Sequence, residues 1–344
     1  MKSGRQCVLD GIKIAMAYVG TVIGAGFATG QEILQFFTKY GYNAVYAIGV
    51  TTLLFIVVGR KILVLSRRLD APSFGLLIDH VFGPVSPLVN IYLAISYILI
   101  CGAMFAGAGA LSNELFGTPY ILGAFFIATC TLIVSLLGVK GILATNSVIV
   151  PFITIFTLVL LLNVLTTNNK TLVSGGISAG QVFPLLKTAI TYASFNLILS
   201  IGVLAPLGGA VKDIKSLYIG SVLGGGILGL LMLASHTSML YYVPDVFNKE
   251  IPIMLIVDGL GKPFMIFYGV IIWMEIFSTA IGNLFSIDTL VREKSKTQSN
   301  IPAVVICAAA LFICLFGFSN IVQWFYPALG VLGFVLVGMI FIYA

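Results

Sequence analysis

The chain of 344 residues is 59% hydrophobic and only 9% charged, whereas a soluble domain carries roughly 25% charged residues. Its 18 Lys and Arg and 12 Asp and Glu are too few to cover a soluble globule of this length with polar surface. The composition therefore excludes an ordinary cytosolic enzyme and indicates that lipid is the main solvent. At roughly 20 apolar residues for each span, the length accommodates about ten spans.

Charged and proline-containing breaks divide the sequence into ten apolar stretches, and each is long enough to cross a membrane as a helix. They lack the alternating pattern of barrel strands. We therefore predict an all-α polytopic membrane protein with a single transmembrane domain over residues 1–344. The stretches run roughly over 11–38, 42–65, 86–111, 119–139, 141–165, 183–208, 216–242, 263–290, 301–318 and 320–344.

The distribution of Lys and Arg predicts the orientation. With the N-terminus in the cytoplasm, 13 of the 18 basic residues fall on the inner side, and five fall on the outer side: Lys39, Lys170, Lys187, Lys249 and Lys262. This bias places both termini of a multi-pass cell-membrane protein in the cytoplasm. The net charge of +6 is then a topology signal, and no basic patch with interleaved aromatic residues indicates a nucleic-acid partner.

Two connections are longer than simple turns. Residues 73–82 mix apolar side chains with Asp79 and His80, a composition that favours a short helix at the inner interface. Residues 250–260 are apolar but too short to cross the membrane. We expect this second segment to pack back on the outer side as a lid.

The first stretch contains the most informative segment, GTVIGAGFATGQE over residues 20–32. Each of its four glycines weakens a helix by about 1 kcal/mol relative to alanine. Thr29 and Glu32 then have the spacing of a capping box, which begins a new helix. We predict a helix break near Gly24, about 20 Å along the span and so near the bilayer middle.

Unwound backbone at this depth is tolerated where it is buried in protein or lines a cavity. Its free N–H groups would attract a carboxylate, and the carbonyls that end the first half-helix would attract a cation. These features are typical of a transporter binding site. The alternative interpretation is that the glycines only allow close helix packing.

The sixth stretch carries a weaker counterpart, TYASFN over residues 191–196. Small and polar residues at this depth predict a second break, whereas the alternative is that Ser194 and Asn196 only form hydrogen bonds to neighbouring helices. Five spans separate the two segments, so they cross in opposite directions, as inverted repeats require.

The eighth stretch places four polar side chains on one helical face, at positions i, i+3, i+4 and i+8: Glu275, Ser278, Thr279 and Asn283. A buried carboxylate is costly unless it is paired, protonated or next to a cation. Hydroxyls and free carbonyls are hard oxygen ligands that suit an alkali cation. The pattern predicts ion coupling, and the alternative is a neutral, hydrogen-bonded Glu275. Glu32 is interpreted as a helix cap in preference to a proton carrier. Asn146 is interpreted as a residue that forms hydrogen bonds between helices.

The segments GAGFATGQEILQFF and YASFNLILSIGVLAPLG resemble the YkvI-type family of bacterial membrane proteins, and the likeness extends along the whole chain. More distantly, the sequence is similar to the LeuT fold of the amino acid-polyamine-organocation superfamily. This resemblance implies a 5+5 inverted repeat, with repeats over about 10–165 and 182–344. Spans one and six would be broken around the substrate and would move against a scaffold of spans three, four, eight and nine.

The resemblance also implies roles for individual residues. Substrate contacts would come from Ala25, Gly26, Phe27, Thr29, Ser194, Phe195 and Asn196. A sodium site would be formed by the carbonyls of Gly20 and Ile23 and the hydroxyls of Ser278 and Thr279, with Glu275 as a further ion-coupling residue. Arg5 and Asp288 match an inner gate in position. The hydroxyl pair and the lack of a lysine in residues 141–165 favour sodium, whereas Glu275 leaves protons open.

The predicted function is secondary active transport by alternating access of a small solute, such as an amino acid or related amine, with Na⁺ as the coupling ion and no cofactor. Two alternatives remain: proton coupling through Glu275 or Glu32, and a ligand sensor that does not transport. An enzyme is not expected, because the sequence shows no zinc motif, activated serine or paired catalytic aspartates.

Overall fold

The computed structural model describes residues 4–167, 178–249, 251–296, 299–317, 321, 329 and 333–342, and these ranges contain helices and no strand. The α-helices are α1 (Gly4–Val22), α2 (Ala25–Ala28), α3 (Gln31–Phe36), α4 (Ala44–Arg68), α5 (Phe74–Phe82), α6 (Ser86–Phe116), α7 (Tyr120–Ser135), α8 (Gly138–Thr167), α9 (Ala179–Ala210), α10 (Ile214–Leu240), α11 (Pro252–Asp258), α12 (Lys262–Ser295), α13 (Ile301–Cys314) and α14 (Gly333–Ile342).

Six of the described helices are long and apolar enough to cross a bilayer, namely α4, α6, α8, α9, α10 and α12, and α7, α13 and α14 are shorter apolar helices. The first predicted stretch is divided among α1, α2 and α3. Much of the tenth stretch, 320–344, lies outside the described residues. The all-helical class is thus confirmed, with six described helices that could span a membrane by length and composition, and the count of ten spans stays a prediction.

The break in the first stretch is confirmed. α1 ends at Val22, and Gly24 has an extended backbone (φ −130°, ψ −168°) before the single turn of α2. Gly30 then adopts a left-handed conformation (φ 85°) and leads into α3. Glycine reaches this conformation without the steric cost of a Cβ atom.

The predicted capping box of Thr29 and Glu32 is wrong. Gly30 directly precedes α3, and no side chain caps that helix. The Thr29 hydroxyl donates to the Gly26 carbonyl at 3.2 Å, and the Glu32 carboxylate accepts a hydrogen bond from Tyr192. The turn at Gly30 starts α3 by backbone conformation, so the Glu32 side chain is free to bond elsewhere.

The second break, predicted over residues 191–196, is also wrong, because α9 is helical throughout this segment. In contrast to the first stretch, the segment contains no glycine that would favour an extended conformation. A tyrosine of α6 contacts this helix one turn later. The Tyr97 hydroxyl accepts a hydrogen bond from the Gly202 N–H at 2.9 Å and donates to the Ile198 carbonyl at 3.1 Å. These two backbone groups are hydrogen-bond partners in a regular α-helix, so Tyr97 bonds to both members of one turn of α9.

The helices pack in two groups. α1 packs on α10, and α4 packs on both α9 and α10, whereas α6, α7, α12 and α13 pack on one another. α8 contacts α1, α10 and α12, and α2 contacts α12. The helix break therefore lies where the two groups meet.

Two short helices border opposite ends of α12, which is about 50 Å long at 1.5 Å per residue. α5 begins after Ser73, whose hydroxyl accepts from the Gly75 N–H at 3.0 Å, and Lys294 Nζ pairs with Asp79 Oδ2 at 2.5 Å. α11 precedes the other end of α12 and contacts it. The predicted short helix at 73–82 is thus confirmed. Residues 252–258 of the segment predicted as a lid are also helical, and Glu250 is outside the described residues.

Candidate ion and substrate site

The four residues expected to bind sodium come together where α12 meets the end of α1. The Ser278 hydroxyl lies 3.0 Å from the Gly20 carbonyl oxygen, and the Thr279 hydroxyl lies 2.9 Å from the Ile23 carbonyl oxygen. The last carbonyls of a helix have no intrahelical partner. The break in the first span therefore frees backbone oxygens, and α12 supplies hydroxyls to them.

Asn146 of α8 adds a fifth oxygen atom to this cluster. Its Oδ1 lies 2.5 Å from the Ser278 hydroxyl, and its Nδ2 lies 3.4 Å from the Ala17 carbonyl. The side chain is 1% exposed. The predicted interhelical hydrogen bonds of Asn146 are confirmed. Its position beside the ion-site residues had no signal in the sequence beyond an amide in the middle of an apolar stretch.

These oxygens outnumber the protons available to them. The Ser278 hydroxyl carries one proton, yet the Gly20 carbonyl and Asn146 Oδ1 both lie within hydrogen-bond distance of it. A bound alkali cation would satisfy the remaining lone pairs of these oxygens, since carbonyl, amide and hydroxyl oxygens are its preferred ligands. The candidate ion site consists of neutral oxygens, and no group of His, Cys, Asp and Glu suited to a metal ion occurs in the described ranges.

The glycines of the break admit these polar side chains. A Cβ atom at Gly20 would lie 2.5 Å from Asn146 Cγ, and one at Gly24 would lie 3.1 Å from the Thr279 hydroxyl oxygen. Real Cβ atoms essentially never show the first distance, and the second is tighter than nine in ten real Cβ contacts. At these two positions, glycine therefore allows the ion-site side chains to come close to the backbone, in addition to allowing close helix packing.

Glu275 lies one turn before the hydroxyl pair and is wholly buried. Neither of its carboxylate oxygens has a hydrogen-bond partner in the described part of the chain. Earlier on the same helix, Tyr268 donates to the Ala28 carbonyl at the end of α2. A carboxylate in this environment is costly unless a proton or a cation neutralises it.

The residues expected to contact substrate are buried in two helices. Those of the first span form α2 and its end, and those of the sixth span lie in α9; they are Ala25, Gly26, Phe27 and Thr29, and Ser194, Phe195 and Asn196. The Asn196 amide donates to the Tyr192 carbonyl at 3.1 Å within α9. A Cβ atom at Gly333 of α14 would lie 3.3 Å from the Ser194 carbonyl oxygen, so part of this α9 segment faces α14.

Glu32 connects the two predicted substrate segments. Its Oε2 accepts a hydrogen bond from the Tyr192 hydroxyl of α9 at 3.2 Å. The same carboxylate lies directly against Gly26 of α2, where an added Cβ atom would clash with Oε1. Sequence spacing missed this arrangement, because it depends on the backbone turn at Gly30.

α11 closes over the turn between α2 and α3. The Ile253 N–H donates to the Thr29 carbonyl at 3.2 Å, and the Gln31 side-chain amide donates to the Lys249 carbonyl at 2.8 Å. A Cβ atom at Gly30 would lie 2.7 Å from Ile253 Cγ1. The segment predicted as a lid thus contacts the broken helix directly.

The two residues expected at the inner gate are not paired with each other in this structure, and their role as a gate stays a prediction. Arg5 is exposed, and Asp288 pairs with Arg292 of its own helix at 2.7 Å. Residues four apart on a helix lie on the same face, so Arg292 reaches Asp288 from within α12, whereas Arg5 lies on α1.

No protein-family model matches the chain. Over 332 residues it is 31% identical to the uncharacterized membrane protein YkvI of Bacillus subtilis strain 168, a match that covers 95% of this chain and 94% of that protein. The chain belongs to the YkvI family of membrane proteins. The uncharacterized protein YyaD of the same organism is 24% identical over 333 residues, covering 97% and 96% of the two chains.

Solved structures show which fold this YkvI-family chain adopts. It superposes on MhsT in complex with L-phenylalanine with a TM-score of 0.69, at 18% identity over 96% of this chain and 87% of that one. For a Na⁺-coupled sialic acid symporter the TM-score is 0.67, at 9% identity over 96% and 89%. For Mhp1, a nucleobase-cation-symport-1 family transporter, it is 0.56, at 14% identity over 96% and 77%. The YkvI-family chain therefore has the LeuT fold, and two of these neighbours, the sialic acid symporter and Mhp1, are transporters.

Proposed function

We propose that this YkvI-family protein is a sodium-coupled secondary active transporter that moves a small solute, such as an amino acid or related amine, by alternating access. The observation that carries the proposal is the cluster of oxygens at the break. The hydroxyls of Ser278 and Thr279 lie on the carbonyls that end α1, and Asn146 completes the cluster. Relatives in fold include a Na⁺-coupled symporter, which supports the choice of ion.

The helix packing supports a ten-span, 5+5 inverted repeat within one domain. We assign the first repeat to residues 10–165 and the second to 182–344. In such a repeat, spans one and two (α1 and α4) correspond to spans six and seven (α9 and α10). The packing of α1 on α10 then corresponds to the packing of α9 on α4, and both pairs are observed. The excess of Lys and Arg on the α5 side supports cytoplasmic termini.

In this proposal, the solute binds around α2 and α9, through Ala25, Gly26, Phe27, Thr29, Ser194, Phe195 and Asn196. The α11 lid is closed on Thr29 in the present conformation. Opening of the lid would expose the site to the outer side, and separation of the helices near α5 would expose it to the inner side. Sodium bound at the end of α1 would hold the unwound segment in the conformation that receives solute.

Uptake of a solute panel into proteoliposomes, with and without a sodium gradient, tests this function. The double variant Ser278→Ala with Thr279→Ala removes two of the five oxygens. At about 1.5–3 kcal/mol for each interaction with a charged group, we expect sodium affinity to fall on the order of 100-fold or more. The measurement is the shift in melting temperature with NaCl against KCl.

Thr289→Ala is the matched control, because this hydroxyl bonds to the Phe285 and Ser286 carbonyls within α12. The control should keep the full sodium shift and sodium-driven uptake. A sodium shift that persists in the Ser278/Thr279 double variant would remove the hydroxyl pair from the ion site.

Proton coupling is the second candidate, and it is favoured by the unpartnered, buried carboxylate of Glu275. Uptake that follows a pH gradient without sodium, and that is lost in Glu275→Gln or Glu32→Gln, would support it over sodium. Solute binding without any flux in the same liposomes would instead identify a ligand sensor on a transporter fold.

A further inference from the structure

The interior of the described structure contains more acidic than basic charge. Its buried acidic side chains are Glu32, Glu275 and Asp288, and no lysine or arginine in the described ranges is buried. Asp288 pairs with Arg292 at 2.7 Å. The buried His236 contacts Thr38 at 3.1 Å. Glu32 and Glu275 are thus left without a cationic side chain, and a buried charge of one sign requires a compensating charge.

The two carboxylates lie on different elements. Glu275 lies on α12, one turn before the hydroxyl pair of the ion site, and we assign its compensation to the coupling ion. Glu32 lies on α3 and contacts Gly26 of α2, while Tyr192 of α9 donates to its Oε2 at 3.2 Å. Glu32 therefore borders both segments to which the proposed function assigns the solute.

At this position an ionised Glu32 disfavours a carboxylate on the solute. The free N–H groups of a broken helix are the expected receptor for a substrate carboxylate. Here the Gly26 face of α2 is covered by the carboxylate of Glu32, which is 8% exposed. A second carboxylate at this place would meet a like charge in a low-dielectric interior, where the repulsion is weakly screened. An ammonium group would meet an opposite charge and a fixed acceptor.

We infer that the solute is an organic cation, an amine without a carboxylate group, and that its ammonium group binds the carboxylate of Glu32. The inference rests on the proposed transport function and names the substrate class for the same site. Tyr192 is a positioning residue in this arrangement, because its hydroxyl donates a hydrogen bond to Oε2 of Glu32 while Oε1 faces α2.

Matched pairs of probes isolate the effect of a carboxylate group on the solute. Phenethylamine and L-phenylalanine, isopentylamine and L-leucine, and cadaverine and L-lysine differ within each pair by that group alone. Binding is measured on the purified full chain in detergent with saturating NaCl, as a shift in melting temperature and as a dissociation constant by radioligand binding. We expect at least one amine to bind, and its amino acid partner to bind at least about 30-fold more weakly.

Glu32→Gln removes the charge and keeps an oxygen that can accept from Tyr192. We expect it to weaken amine binding by about 30-fold or more, while the sodium-dependent shift persists and shows that the variant is folded. Tyr192→Phe should give a smaller loss with the same amine preference. Glu293→Gln is the matched control: it makes the same chemical change at the far end of α12, where the carboxylate bonds to Ser73, and amine binding should not change.

Three results would overturn the inference: an amino acid that binds as tightly as its matched amine, amine binding that is unchanged in Glu32→Gln, or the absence of any amine-induced shift while the sodium shift is intact. The failure of the proposed function is a separate result, because it is measured as flux. Amines that bind through Glu32 but do not cross the liposome membrane would refute transport and leave the recognition of cations supported.

Discussion

The contact between Gly20 and Asn146 provides a sharp test of the ion site. A Cβ atom at Gly20 would lie 2.5, 2.7 and 2.8 Å from Asn146 Cγ, Nδ2 and Oδ1, well inside the optimal separation of about 3.5–4.0 Å for non-bonded carbons. Asn146 is 1% exposed, so it has no solvent to move into. Gly20→Ala should therefore displace the amide from Ser278 while both hydroxyls and both carbonyls remain.

The size of the effect follows from two opposing contributions. Overpacking of a buried site costs about 1–3 kcal/mol, and alanine in place of glycine within a helix gains up to about 1 kcal/mol. Without sodium, the free energy of unfolding should fall by about 0–2 kcal/mol. With sodium, the lost amide oxygen removes an interaction of about 1.5–3 kcal/mol, so sodium affinity should fall roughly 10- to 100-fold.

The double variant Gly20→Ala with Asn146→Ala separates packing from ion binding. Asn146→Ala removes the three atoms that the new methyl group would meet, so the two substitutions should be non-additive by about 1–3 kcal/mol. Sodium affinity should stay reduced, because the amide oxygen is absent from the double variant as well.

The assay is SDS titration in mixed micelles, which gives the free energy of unfolding in NaCl and in KCl at equal ionic strength. Gly226→Ala in α10 is the matched control, since a Cβ atom there would meet no atom within 4 Å. It should leave the sodium effect unchanged. Strict additivity in the double variant, or full sodium stabilisation in Gly20→Ala, would refute the arrangement described for the ion site.

Two further substitutions test the lid and the contact of Tyr97 with α9. Gly30→Ala places a side chain at φ 85° and 2.7 Å from Ile253 Cγ1, so we expect a loss of about 1–2 kcal/mol and faster hydrogen exchange at the Ile253 N–H; unchanged exchange would contradict the lid contact. Tyr97→Phe removes the hydroxyl shared by Gly202 and Ile198 and should cost about 1–3 kcal/mol in unfolding free energy, whereas no measurable cost would show that this hydroxyl does not stabilise the packing of α6 on α9.

The break of the first span was predictable because its causes are local. Gly24 and Gly30 take the extended and left-handed conformations that end one helix and begin the next, and glycine spacing is visible in the sequence. The positions of Ser278 and Thr279 followed from helical periodicity together with the family resemblance. Such features depend on residues close in the chain or on a pattern along one helix.

The features that sequence reasoning missed depend on partners from distant helices. Asn146 is one amide in an apolar stretch, and nothing in its neighbourhood indicates that it faces Ser278, 132 positions away. The spacing of Glu32 fits a helix cap, yet the positive φ of Gly30 replaces the cap and leaves the carboxylate to Tyr192. The prediction of a break in the sixth span was wrong because the segment contains polar residues but no glycine, and such residues are accommodated inside a regular helix.

The ion site and the lid act on one short piece of backbone. The proposed cation would bind the carbonyls of Gly20 and Ile23, and the lid is bonded to the carbonyl of Thr29, at the end of α2. Two interactions that favour the same conformation of a shared segment are coupled, and the coupling is reciprocal. If the lid contacts contribute about 1 kcal/mol to that conformation, their loss should weaken sodium binding about fivefold. Gly30→Ala should therefore lower sodium affinity although Gly30 contacts no ion ligand, and an unchanged affinity in a variant with a demonstrably open lid would show that the two sites are independent.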